Sequence, residues 1–342
     1  MTENDTANPL AGHMLMRREL HEQPDLLGQV ARALDASAAS LRPPTGTRVW
    51  AGGCGDSLFA AEALARHFRT AGYKYRAASA AEMLWDDEIA QGDAVIALSI
   101  SGSTRRTVEA LGKARDIGAR TIAITINSDS ALSKAADETL KLPYEPISRA
   151  IPHGLDYHVT LLALAALATE LSSIDPGELF AETTRDVMMR ATASAAKLDT
   201  STRYFLLGGG AAARGTSAFA AAKLHEAGGL PAFSCEAENF GHGAQFMLKP
   251  GDFVGLFGSG GPADARTQAL GDGLRRLGCH VVEAGFEPPD APLAPLRAAL
   301  RGGLEAQALC LAVAERFGLN VLNPAGTSGA DGLQKDWFSW QA

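Results

Sequence analysis

Ala94-Val-Ile-Ala-Leu-Ser99-Ile100-Ser101-Gly102-Ser103-Thr104-Arg105-Arg106-Thr107 is the stretch that sets the architecture. It opens on a continuous apolar run, the pattern of a strand buried on both faces. It then breaks into hydroxyls around a glycine. Val108, Leu111, Ala114 and Ile117 follow at helical spacing. Strand, small-residue turn, helix: that order aims free backbone N–H groups and a helix dipole at whatever sits in the turn. Ser99, Ser101, Ser103 and Thr104 add hydroxyls at the same spot. A phosphate, whose several oxygens each need a donor, suits such a place. A strand-to-helix turn with one Ser or Thr as N-cap is the plainer reading, but a cap needs one hydroxyl and four stand here within six residues. These residues alone leave both readings open.

The same alternation extends outward. A strand over 48–53 runs into Gly52-Gly53-Cys54-Gly55-Asp56-Ser57, with a helix behind it through Leu58, Ala61, Leu64 and Phe68. Further strands are expected at 73–77, 120–126 and 139–142, and an apolar helix at 154–171. A connecting helix over about 176–197 leads to a second series. Its strand at 203–207 ends in Gly208-Gly209-Gly210, and a helix follows at 213–227. Strands at 232–235 and 253–257, the turn Gly258-Ser259-Gly260-Gly261, a helix at 262–277, a strand at 280–282 and a helix at 303–317 complete it. Strand alternating with helix implies a parallel sheet covered on both faces. The repeated order implies an internal duplication, with ligands at the carboxyl ends of the strands. Ser259 stands alone in its turn, so only the first half keeps a full hydroxyl loop. Gly208-Gly209-Gly210 has no GxGxxG continuation, so a dinucleotide fingerprint is rejected. At the N-terminus, residues 1–12 read as disordered, and a helix over 14–34 is expected to break at Pro24.

Composition narrows the function. A net charge of −8 without a Lys/Arg run argues against nucleic acid. The four cysteines form no CxxC pair, so neither a zinc site nor a disulfide framework is expected. The polar, acidic start is no signal peptide, and the apolar run 161–171 is too short to span a bilayer. A cytoplasmic, enzyme-sized protein without a membrane span or a zinc site fits these bounds. In the second half, Lys223-Leu-His225-Glu226 and Glu236-Ala-Glu238-Asn239-Phe-Gly-His242-Gly243 gather carboxylates and histidines near glycines. A Glu and a His can divide base and acid work, though a solvated helix end carries the same residues. The tail holds Trp337 and Trp340, which a free tail seldom spends, so it is expected to dock; its Lys335 is either an exposed charge or a group closing over a substrate.

With these motifs in place, the chain resembles the sugar isomerase (SIS) family, in the double-SIS form of the glucosamine-6-phosphate synthase isomerase half. Met16-Arg-Arg-Glu-Leu-His-Glu-Gln-Pro24 is similar to that family's opening helix, Cys54-Gly55-Asp56-Ser57 to its first turn, and Ser99-Ile100-Ser101-Gly102-Ser103-Thr104 to its Ser-x-Ser-Gly-x-Thr loop. Ser130-Ala-Leu-Ser-Lys-Ala-Ala-Asp137 resembles a further segment. The resemblance implies that Cys54, Gly55, Ser57, Ser99, Ile100, Ser101, Gly102 and Thr104 hold a sugar phosphate. It implies that Glu226 shuttles the proton between C1 and C2. His242, sixteen residues on, would open the ring and reach a neighbouring subunit's site, and Lys335 would cap or bond the carbonyl. Three departures border the sugar: Glu238-Asn239 replaces Gly-Glu, Ile151-Pro-His153-Gly-Leu-Asp156 replaces a Ser-Thr-Lys stretch, and the usual tail motif is missing. No glutaminase domain is expected ahead of the chain.

The resulting expectation is an α/β protein of two tandem SIS domains, each a doubly wound parallel sheet in a three-layer αβα sandwich. An N-terminal helical segment would take 1–45, the first domain 46–175, a connecting helix 176–200, the second domain 201–325, and a site-closing tail 326–342. The expected activity is isomerisation or deamination of a sugar or amino-sugar phosphate through an enediol or imine, in a homodimer with shared active sites; no metal or cofactor is expected, because that chemistry uses only acid and base groups. The alternative is a non-catalytic sugar-phosphate-binding regulator.

Overall fold

The computed structural model describes residues 8–86 and 88–324. It opens on helix α1 (Pro9–Ala38), capped by the Asn8 side chain, which accepts from Leu10 N at 3.0 Å. Two expectations fail here. The helix starts inside the stretch read as disordered, and it runs unbroken through Pro24. Proline inside a helix costs about 3 kcal/mol. Against that, α1 buries Met16, Leu20, Leu27, Val30 and Leu34, each contributing roughly 1.5–3 kcal/mol, so tertiary burial outweighs the local break.

The first unit follows as β1 (Arg48–Gly53), α2 (Asp56–Ala63), α3 (Ala65–Thr70), β2 (Lys74–Ala77), α4 (Ala80–Trp85), β3 (Ala94–Leu98), α5 (Arg105–Ile117), β4 (Arg120–Thr125), α6 (Ala131–Ala135), β5 (Glu138–Lys141) and α7 (Leu155–Ala168). Its five strands are parallel, in the order β2-β1-β3-β4-β5. The short helices α4 and α6 were not anticipated; each starts at a serine that caps it, Ser79 and Ser130. The buried face of α5 is Thr107, Ala110, Leu111 and Ala114, while Ile117 at its end is partly exposed. Every residue of α7 is buried, which explains a helix apolar on all sides.

Helix α8 (Pro176–Ala195) leads to β6 (Tyr204–Gly208), α9 (Gly210–Gly228), β7 (Ala232–Glu236), α10 (Ala237–Phe240), β8 (Phe253–Phe257), α11 (Asp264–Leu277), β9 (His280–Ala284) and α12 (Ala294–Phe317). The second sheet is parallel in the order β7-β6-β8-β9, the first sheet's order with the last strand missing. The duplication read from the sequence is therefore a duplication of topology. Helix α12 begins nine residues before the expected start at Gly303. Gly302 and Gly303 lie within it because a Cβ there would meet Thr216 at 2.6 Å and His158 at 2.5 Å: they mark close packing, not a helix end. The units join through α2 and α9, where Gly215 lets α9 approach the Phe59 carbonyl; a Cβ would lie 2.4 Å from that oxygen. Among the described residues no helix is long and apolar enough to cross a membrane.

Candidate active site

In each sheet the strand order reverses between the first and third strands, which opens a crevice at their carboxyl ends. In the first sheet Gly53 lies in register with Leu98. A Cβ on Gly53 would fall 2.4 Å from the Leu98 carbonyl and 2.9 Å from Ser57. The two turns are thereby pressed together: Cys54 Sγ lies 3.8 Å from Thr107 Oγ1 in the first turn of α5. Gly55, at φ +57, turns the chain into α2.

The hydroxyl loop is held by its own bonds. Ser99 is buried; its Oγ accepts from Gly102 N at 3.1 Å and lies 2.9 Å from Thr104 Oγ1. Ser101 Oγ lies 2.8 Å from Ser103 Oγ on the exposed rim. The Ile100 carbonyl accepts from Ile126 N and Thr125 Oγ1 and so ties the loop to the end of β4. Gly102 sits at φ +69, and a Cβ there would be 2.2 Å from Ser130 Oγ, so the position demands glycine twice over. Thr104 is the N-cap of α5, yet its side chain makes no capping bond. The simple capped-turn reading fails at that point. The helix start stays open towards a ring of hydroxyls, an arrangement that can receive an oxyanion.

Glu226 comes to this crevice from the other unit. Lys223, three residues earlier on α9, is buried, and its Nζ donates to Glu226 Oε2 at 2.6 Å and to Asp56 Oδ2 at 2.8 Å. Asp56 belongs to the turn after β1, so one ammonium ties Glu226 to the first sheet's crevice. Burial by itself lowers an ammonium's pKa; here Asp56 and Glu226 outweigh it and hold Lys223 above the ordinary lysine range. Burial pushes the Glu226 carboxyl up, with the Asp56 charge adding, while Lys223 and His153 pull it down; the net direction is up. The side chain is nevertheless 45% exposed, at the crevice mouth. A carboxylate that is reachable and raised towards neutrality is suited to general-base work.

His153 stands beside it. Tyr157 stacks on Phe219 with ring centroids 3.8 Å apart, and this contact brings the start of α7 against the middle of α9. One turn before Tyr157, His153 Nδ1 lies 3.3 Å from Asp156 Oδ2, and Tyr144 donates to Asp156 Oδ1 at 2.5 Å. The turn that carries His153 is pinned from α1: Glu19 Oε1 accepts from Gly154 N at 2.6 Å, Leu155 N at 3.0 Å and Gln307 Nε2 at 2.7 Å.

The other expected residues fare differently. Cys54, Gly55, Ser57, Ser99, Ile100, Ser101, Gly102, Thr104 and Glu226 gather at one crevice. His242 does not join them within the chain: it is exposed on the segment after β7, 3.9 Å from Glu238, which is itself held by Arg266. Glu236 and His225 are structural, the first accepting from Gly210 N and Asn239 N, the second bonded to the Ala232 carbonyl. Lys335 and the two tail tryptophans lie outside the described residues. Sequence reading gave Asp56 and Lys223 no role. The available signal was the Lys-x-x-Glu spacing, which places both side chains on one helix face.

Residues 47–170 match the SIS domain family, so the first sheet and its helices form a SIS domain. An N-acetylmuramic acid 6-phosphate etherase from Bacillus subtilis is 42% identical over 66 residues, 19% of this chain and 22% of the etherase; the match thus spans about a fifth of that relative's length. In structure the chain resembles a glucosamine-6-phosphate deaminase from Thermotoga maritima (TM-score 0.75, 22% identity, 91% of this chain and 98% of the other). It also resembles the C-terminal domain of glucosamine-fructose-6-phosphate aminotransferase from Francisella tularensis (TM-score 0.71, 14% identity, 89% and 96%). At these identities the likeness concerns the fold, and its extent takes in both sheets.

Proposed function

We propose that the chain is an enzyme acting on a sugar phosphate or amino-sugar phosphate, by aldose–ketose isomerisation or by deamination through an enediol or imine. We read the second sheet as a second SIS domain, from its matching strand order, with the boundaries at 46–175 and 201–325. One observation carries the reading: Lys223 holds Glu226, a base from one unit, at the crevice where the other unit gathers Ser57, Ser99, Ser101 and Thr104. The phosphate would take the hydroxyls and the open start of α5. The Glu226 carboxylate would remove the proton from the carbon next to the carbonyl and return it to the neighbouring carbon. His153, backed by Asp156, would move the hydroxyl proton. His242 and Lys335 would be supplied at the mouth, the former from a second copy of the chain in a homodimer.

Solvent deuterium exchange into hexose and amino-hexose phosphates tests this reading. Glu226→Gln keeps shape but accepts no proton, so exchange should fall by roughly a hundredfold or more while sugar-phosphate affinity stays. Unchanged exchange in this variant overturns the assignment, and binding without exchange in the native protein makes it a regulator. The local likeness to the etherase favours one further reading, cleavage of an ether on an amino-sugar phosphate; release of the ether substituent in the same assay distinguishes it.

A further inference from the structure

The second sheet has its own crevice between β6 and β8, and the hydroxyl loop is not what fills it. Its β8 turn is closed from within. Asp264 accepts from Ser259 N at 2.8 Å, Ser259 Oγ at 2.9 Å, Gly260 N at 3.0 Å and Gly261 N at 3.4 Å, the donors that an anion would otherwise take. Beside this plug a cavity of about 370 Å³ remains, lined by Gly209–Ala212 and Ser259 from the second unit and by Arg66, Arg69 and Thr70 of α3 from the first.

The two arginines are what this cavity does not explain by itself. Among the described residues Arg66 pairs with no carboxylate, and its Nε is buried without a hydrogen-bond partner. The guanidinium lies against Gly261, where a Cβ would be 2.7 Å from Nε. Arg69 makes one long bond, 3.5 Å to the Tyr75 carbonyl. A half-buried guanidinium without a counter-charge is costly, and an oxyanion relieves that cost with charge-assisted hydrogen bonds. The opposite wall is the start of the 19-residue helix α9, whose cap Gly209 supplies no side-chain acceptor. Glu236 takes Gly210 N, and the next N–H groups of that turn are left to the cavity. The carboxylates nearby, Asp264 and Glu236, are already engaged by backbone donors, and Glu62 by Arg214.

We propose that this crevice is a second anion site, taking the phosphate group of a small phosphorylated metabolite, or inorganic phosphate, between Arg66, Arg69 and the first turn of α9. It is separate from the hydroxyl loop and does not depend on the activity proposed above. The same helix carries Lys223 and Glu226 near its far end.

Calorimetric titration of the intact protein with inorganic phosphate tests the site, with glucosamine 6-phosphate titrated in parallel. The native chain should bind two phosphates. Arg66→Ala/Arg69→Ala should weaken one of them at least tenfold and spare the other; Ser101→Ala/Thr104→Ala should do the reverse. Should the double arginine variant not fold, Arg69→Ala, at an exposed position, carries the test with a smaller loss in the same site. The metabolite that titrates the arginine-dependent site at the lower concentration tells free phosphate from a phosphorylated sugar. A single phosphate in the native protein, abolished by the loop variant and untouched by the arginine variants, overturns the proposal. Loss confined to the arginine variants, with the loop variant silent, upholds it while removing the hydroxyl-loop reading.

Discussion

Lys223 Nζ and Asp56 Oδ2 lie 2.8 Å apart, across 167 positions of sequence and across the two units. The lysine is fully enclosed, with the Phe219 ring 5.2 Å from its nitrogen. Removing one partner of a buried pair costs about 3–5 kcal/mol. Asp56 and Glu226 are partly exposed and can regain water, so Lys223→Met should cost somewhat less, about 2–3 kcal/mol. It should also move a titration. Lys223 pulls the Glu226 carboxyl down; without it that carboxyl rises further, and the acid limb of deuterium exchange should shift to higher pH. Thermal unfolding and a pH profile check the two effects. A limb that stays put or moves down means that Glu226 is not the base.

His153 and His242 make opposite predictions when chains are mixed. His153 shares its chain's crevice with Glu226, whereas His242 stands apart from it. Glu226→Gln and His242→Asn chains, each impaired alone, should regain part of their activity when mixed, because hybrid dimers hold an intact site. Glu226→Gln mixed with His153→Asn should regain none, since each site of the hybrid then carries one of the two changes. Recovery in the second mixture, or its absence in the first, refutes the shared-site arrangement.

Gly102→Ala should damage the loop on two counts. A residue with a Cβ at φ +69 is strained, and that Cβ would meet Ser130 Oγ at 2.2 Å. The expected loss is more than about 1 kcal/mol of stability, with weaker phosphate binding. Adding Ser130→Gly removes the Ser130 collision but leaves the backbone strain and a 2.8 Å approach to Thr125 Oγ1, and it deletes the cap of α6, so it should recover at most part of the stability. Full recovery would mean that the left-handed conformation carries no cost.

His67 sets a pH dependence. It is buried, with Nε2 3.2 Å from Thr169 Oγ1, and burial pushes its pKa down from 6.5 to about 4. The unfolded chain therefore binds the proton first as pH falls. Stability is lost through the window from 6.5 down to about 4 and is unaffected above it. Between pH 7 and 4 the native protein should lose up to about 3 kcal/mol more than His67→Gln. His158, pushed down to about 3, and Glu19, pushed up, act on both proteins alike and cancel in the comparison. Denaturant unfolding at several pH values measures it; parallel curves would show that His67 is protonated in the fold.

Local chemistry was legible in the chain. The run Ala94–Leu98 is a buried strand because every residue of it is apolar. Gly102 and Gly55 mark turns because their backbone takes positive φ. The order of strands and glycine turns showed the duplication before any contact was known. These are properties of residues within a few positions of each other, where side-chain period and backbone preference act directly. Contacts between distant positions were decided elsewhere. Pro24 stays inside a helix because α1 is buried along its length, and Gly302 and Gly303 are helical because other elements crowd them. Asp264 fills the second turn while the first stays open, a difference of bonding that hydroxyl counting only half revealed. His242, which the resemblance gives to a neighbouring subunit's site, is exposed beside Glu238, and which Glu226 it would meet depends on how two copies pack. Lys223 acquires its meaning only when the fold carries α9 against the turn after β1. An ammonium out of water needs opposite charge within hydrogen-bond reach, and where that charge lies is set by how the sheets and helices pack.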